Sequence, residues 1–146
     1  MTAPPDPFHL QRFIDAQAPV WPQVRAELTA GAKRSHWMWF VFPQLRGLGR
    51  SETARFYGIA DLDEARAYWA HPLLGERLRE ACDLLAALPP TFGAEPVLGP
   101  VDALKLHSCL TLFERVAPEE VVFGALLERW YGGRRDAATL GKLDAG

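Results

Sequence analysis

Apolar residues along this chain recur at helical spacing, and almost nowhere do they alternate as in a strand. Asp6-Pro7 reads as a cap followed by a first-turn proline, and Phe8, Phe13, Ile14 and Gln17 carry that helix to about Gln17. Val24 and Leu28, four apart, mark a second helix from Pro22 to Ala30, closed by Gly31. Ser51 opens a short helix to about Tyr57. Asp61 and Glu64 have capping-box spacing ahead of a helix to about Ala70. Leu73, Leu74, Leu78, Ala81, Leu85 and Leu88 line one face of the clearest amphipathic helix, and Glu76, Arg79, Glu80 and Asp83 line the other. Residues 94–98 make at most one turn. Pro100 opens a helix to about Val116. Pro118 opens another, with buried stripe Val122, Phe123, Leu126, Leu127 and Trp130, stopped by Gly132-Gly133. Asp136 caps a last short helix containing Leu140 and Leu143.

The pattern predicts an all-α fold: one compact domain over 1–146 with about seven to nine mostly short helices and flexible ends at 1–5 and 144–146. The 12 prolines serve mainly as helix punctuation. The run His36 to Phe42 fits either a buried strand or a short helix. The helix is favoured, because no partner strand is visible and Pro43 stops it near Val41.

Composition narrows the classes. At 49% hydrophobic residues the chain can bury a core. A formal net charge of −2 argues against broad affinity for nucleic acid. The two cysteines, Cys82 and Cys109, sit in apolar helical patterns and read as small core residues in a reducing, cytoplasmic setting. The first residues have no signal-peptide character, and no apolar run reaches membrane-spanning length. No histidine pair has zinc-helix spacing, so neither metal nor cofactor is implied. The oligomeric state stays open.

Three segments combine polar and aromatic groups. Lys33 to Gln44 holds Arg34, His36, Trp37 and Trp39. On a wheel of about 100° per residue, Lys105 falls inside the apolar arc of Leu106, Cys109, Leu110, Leu112, Phe113 and Val116, with Ser108 and Thr111 on the flank. A charge there must be paired, snorkelling or turned to a ligand. Tyr131-Gly132-Gly133-Arg134-Arg135-Asp136 can hold an anion through backbone N–H groups and guanidinium donors. Arg46-Gly47-Leu48-Gly49-Arg50 has the same character, but it is neither a P-loop nor a dinucleotide fingerprint. Each segment also has a plainer reading: packed core, a paired lysine, a helix stop with solvated arginines.

Together these segments, with Asp6-Pro7-Phe8, Arg12-Phe13, Tyr57-Gly58-Ile59, Thr139 and Leu140, resemble a bacterial family catalogued as domain of unknown function 1810. Its members are often labelled calpastatin. The string His36-Trp37-Met38-Trp39-Phe40 is specific, and the match spans nearly the whole chain. The resemblance implies an all-helical fold, known from a mycobacterial member, and no settled activity. Calpain inhibition belongs to extended, disordered segments, so the label has no bearing on a globular chain. Ser108-Cys109-Leu110 departs from the more serine- and methionine-rich version common in the family, which argues against Cys109 as an obligatory nucleophile.

The resulting expectation is a pocket for an anionic small molecule: a nucleotide, a phosphorylated or an ADP-ribosyl group. Trp37 and Trp39 would stack its ring, and Lys33, Arg34, Lys105 or Arg134 would hold its anion. Gln44, Ser108, Thr111 and Tyr131 would complete the walls. His36 as acid or base, with Asp136 as partner, would allow hydrolysis of such a ligand. The alternative is a protein-interaction module using exposed aromatics as hot spots.

Overall fold

The computed structural model describes residues 5–145. In chain order the helices are α1 (Gln11–Gln17), α2 (Trp21–Ala30), α3 (Met38–Val41), α4 (Glu52–Tyr57), α5 (Leu62–Ala70), α6 (Leu74–Ala86), α7 (Ala94–Leu98), α8 (Pro100–Val116), α9 (Val121–Tyr131) and α10 (Ala137–Ala145). Ten helices among the described residues exceed the expected number, because the single turn at 94–98 and the four-residue α3 both form.

Helix α8 is the axis of the arrangement. It packs against α3, α5, α7, α9 and α10, while α6 closes the other side against α2, α5 and α9. Leu106, Cys109, Leu110, Leu112 and Phe113 of α8 are fully buried, and they meet Phe123, Tyr68 and Phe13 in one core. Each such side chain contributes roughly 1.5–3 kcal/mol by leaving water. Cys82 and Cys109 are free and fully buried, and burial pushes both thiols up, so neither is a reactive thiolate.

Several boundaries move for identifiable reasons. Helix α1 starts at Gln11 rather than near Pro7, because His9 adopts a left-handed backbone with φ 54°. Asp6 still caps it: its carboxylate accepts from Leu10 N (2.7 Å) and Gln11 N (2.9 Å). Helix α2 ends at Gly31, φ 70°, where a Cβ would stand 2.4 Å from Phe92, so glycine is needed twice over. The aromatic run is helical only from Met38 to Val41. Helix α9 begins at Val121, not Pro118. Helix α10 runs through Asp144 and Ala145, which the sequence assigned to a flexible tail, and Arg115 Nη2 lies 3.4 Å from Asp144 Oδ1. The expected flexible ends otherwise fall largely on residues 1–4 and 146, outside the described ones.

Among the described residues the sole extended pairing is an isolated parallel bridge, Leu45 to Ile59. Arg46 N donates to Ile59 O (2.8 Å) and Ile59 N to Gln44 O (2.9 Å), which ties the loop after α3 to the start of α5. No helix of the described residues is long and apolar enough to cross a membrane.

Candidate functional site

The segment before α3 is shaped by a carboxylate from α2. Glu27 is buried, and its Oε1 accepts from Arg34 N (2.8 Å), Ser35 N (3.1 Å) and Trp37 Nε1 (3.0 Å). Its Oε2 accepts from Ser35 Oγ (2.6 Å) and Gln23 Nε2 (3.0 Å). Burial alone would raise this carboxyl. The bonds from Ser35, Arg34 and Trp37 outweigh it and hold the group at about 2. Ser35, three residues before α3, does not cap that helix, whose N-cap position is Trp37. It is a ligand of Glu27.

This folding turns Lys33 toward α8. Lys33 N donates to Val97 O (2.9 Å), and Lys33 Nζ donates to Ser35 O (2.6 Å) and lies 2.8 Å from Asp102 Oδ2. Lys105 Nζ takes the other oxygen, Asp102 Oδ1, at 3.0 Å. One carboxylate thus bridges two ammonium groups. Burial would raise Asp102, but Lys33 and Lys105 hold it below its ordinary value. Each ammonium also faces an indole: Lys33 Nζ is 5.0 Å from the centroid of Trp37, and Lys105 Nζ is 4.0 Å from that of Trp39. The loop 46–50 lies against Trp39. A Cβ on Gly49 would come within 3.1 Å of the indole and 2.7 Å of Ala54 Cβ, so a side chain at 49 would push the loop off the ring.

Lys33, Trp37, Trp39 and Lys105 are therefore brought together, and Asp102 joins them. The tryptophans do not sandwich a ligand ring. Trp37 is buried in the core at 1% exposure, and Trp39 is partly covered by Lys105. Arg34 and His36 are exposed, and among the described residues their side chains make no hydrogen bond. Gln44 is 8% exposed, and among the described residues its side-chain amide has no protein partner.

The remaining candidates form two further clusters. Asp136 is the cap of α10: its Oδ2 accepts from Ser108 Oγ (3.1 Å), Thr139 N (3.1 Å) and Thr139 Oγ1 (2.6 Å). Thr111 Oγ1 donates to His107 O (2.8 Å) and accepts from Asp136 N (2.9 Å). His36 and Asp136 share no bond, so the expected acid–base pair does not form. Ser108 and Thr111 are occupied in holding α10 to α8. Beside them His107 stacks on Tyr131, with centroids 4.3 Å apart and planes 4° apart. Its Nε2 lies 2.7 Å from Arg134 O, and since a carbonyl only accepts, Nε2 carries the proton. Tyr131 OH donates to Ala103 O (2.6 Å), while the Arg134 side chain is exposed.

The expected single cavity is not what joins these residues. An open hollow of about 580 Å³ lies elsewhere, lined among others by Arg46, Asp61, Asp63 and Lys142. Of the candidates, Thr111 alone borders a second hollow of about 290 Å³.

Sequence reasoning missed Asp102 and Glu27. A first-turn aspartate reads as a solvated complement to the helix dipole, and Glu27 reads as the polar flank of the Val24–Leu28 stripe. The signal that could have found Asp102 is its spacing of three from Lys105 on one helix face.

A family model described as "Protein of unknown function (DUF1810)" matches residues 7–143. The crystal structure of the conserved hypothetical protein Rv1873 from Mycobacterium tuberculosis is 52% identical. The alignment covers 95% of this chain and 99% of that one, with a TM-score of 0.93. No curated protein matches.

Proposed function

Because this chain belongs to DUF1810, a family of unknown function, we propose its role from geometry: it binds an anionic small molecule through Lys33 and Lys105. The observation that carries this reading is the shared carboxylate. Two ammonium groups and one aspartate leave one excess positive charge in a partly buried place. The lysine side chains are 8% and 16% exposed, so water screens that charge only in part. At the effective dielectric near a protein surface, an anion about 4 Å from such a charge is attracted by about 4 kcal/mol before desolvation. Phosphorylated small molecules and nucleotides are the fitting class. They would be recognised by their anion, because the indole faces are given to the lysines.

Binding fits the arrangement better than hydrolysis does. His36 has no orienting partner among the described residues, and the Asp136 carboxylate is committed to its cap. Docking through exposed aromatics has less support, with Trp37 in the core and Trp39 beneath Lys105.

Lys105→Met tests the reading, with melting temperature followed against inorganic phosphate and nucleotides. Methionine keeps much of the stem and removes the charge. The proposal expects the anion-induced rise in melting temperature to disappear while intrinsic stability falls little, because Asp102 keeps Lys33. An undiminished rise in the variant would contradict it. A large loss of stability with no anion response in either protein would make Lys105 a structural ion pair alone.

A further inference from the structure

We propose that Asp102 is a built-in competitor for the ligand, occupying the seat of a dianionic phosphoryl group; this rests on reading Lys33 and Lys105 as the anion site. The carboxylate is held as a bound oxyanion would be. Oδ2 faces Lys33 at 2.8 Å and Oδ1 faces Lys105 at 3.0 Å, both within the range of charge-assisted hydrogen bonds or close to it. A phosphoryl group presents the same pair of oxygens and at least one more. The charges match as well. With Asp102 seated, the cluster carries two positive charges and one negative, so it is one short of neutral. A dianion in that seat completes neutrality; a monocarboxylate or chloride does not.

Asp102 can also leave. Its side chain is 17% exposed, so water reaches it. It sits in the first turn of α8, after Gly99 and Pro100, where the positive helix end favours a negative charge in either position. The two lysines, by contrast, are fixed from other directions. Lys33 is held by Ser35 O and by Trp37, and Lys105 by the face of Trp39. Rotation of one short side chain would thus vacate a seat whose donors stay in place. In the resting state the aspartate keeps two partly buried ammonium groups from standing unpaired, and it sets a threshold concentration that a ligand must exceed.

The experiment compares wild type, Asp102→Asn and Lys105→Met by thermal melting. Inorganic phosphate is titrated against sodium chloride of matched ionic strength at about pH 8, where phosphate is chiefly the dianion. Asp102→Asn is expected to melt below wild type in chloride. Its phosphate-induced rise should reach half-maximum at roughly tenfold lower phosphate, the effect of removing one competing charge-assisted bond. Lys105→Met should show no rise. If Asp102→Asn needs as much phosphate as wild type, or more, while Lys105→Met is silent, the competitor is overturned and the anion site stands. If Lys105→Met responds as wild type does, the anion site fails too. If neither wild type nor Asp102→Asn responds, both fail. Equal responses to chloride and phosphate overturn the dianion assignment. Asp102→Ser, with the same expected behaviour, serves should the asparagine variant not fold.

Discussion

At the scale of single residues, Glu27 does the most for its size. Five hydrogen bonds converge on one carboxylate, and four of them come from the segment 34–37 that carries Lys33 toward α8. Replacing it by glutamine would turn an acceptor of charge-assisted bonds into a group with one acceptor oxygen. Glu27→Gln should destabilise the fold by about 1–3 kcal/mol in a denaturant titration. The pH dependence has a definite sign. The folded value, about 2, lies below the ordinary 4.5, so the stabilisation is complete above about 4.5 and is lost as pH falls toward 2. Wild type should therefore lose more stability than Glu27→Gln between neutral pH and about pH 3; equal losses would contradict the assignment. None of this was legible in the sequence, because a carboxylate that folds a loop seven to ten residues away looks the same as a solvated one. Lys105 was legible, since its place in an apolar arc required a partner. The identity of that partner was not, although Asp102 stands one turn away.

Among elements, capping chemistry was the most readable signal. Asp61 accepts from Glu64 N (2.9 Å), as its spacing predicted, and Ser51, where a helix is expected to open, accepts from Ala54 N (3.1 Å). What spacing could not show is the second duty of Glu64. Its Oε1 accepts from Ala60 N (3.0 Å), and its Oε2 meets Arg12 Nη2 at 2.6 Å in an ion pair with both side chains almost fully buried. Arg12 also donates to Phe8 O, His9 O, Phe56 O and Gly58 O, so one guanidinium fastens α1 to the end of α4 and the start of α5. Breaking such a pair from one side strands a buried charge. Arg12→Met should cost about 3–5 kcal/mol in a chemical-denaturation midpoint experiment. Adding Glu64→Gln should recover part of that loss, because the stranded charge is then removed. No recovery in the double variant would mean that the lost carbonyl bonds, not the charge, dominate. The late start of α1 was hidden for a local reason: the Asp6 cap was visible, but the left-handed turn at His9 between cap and helix was not.

Across the whole molecule, helical periodicity and the family likeness gave the architecture, and packing decided the site. Lys33, Trp39 and Lys105 lie on different elements, and only the seating of the 33–37 segment on α2 and α8 brings their charges and ring faces together. The same packing uses Ser108, Thr111 and Asp136 to hold α10. Helix-wheel reasoning could place Ser108 beside Lys105, but not foresee that Asp136 would claim it. The central claim is that an anion binds where Lys105 covers Trp39, and the indole N–H resonances report on it most directly. The chain has five tryptophans, so a heteronuclear correlation spectrum of the labelled protein offers a reporter at the site and others remote from it. Titration with inorganic phosphate at constant ionic strength should move the Trp39 indole resonance most, saturably, with a smaller change at Trp37 and none at Trp69 or Trp130. An unmoved Trp39 resonance at saturating phosphate, or equal small drifts at every indole, would contradict the account.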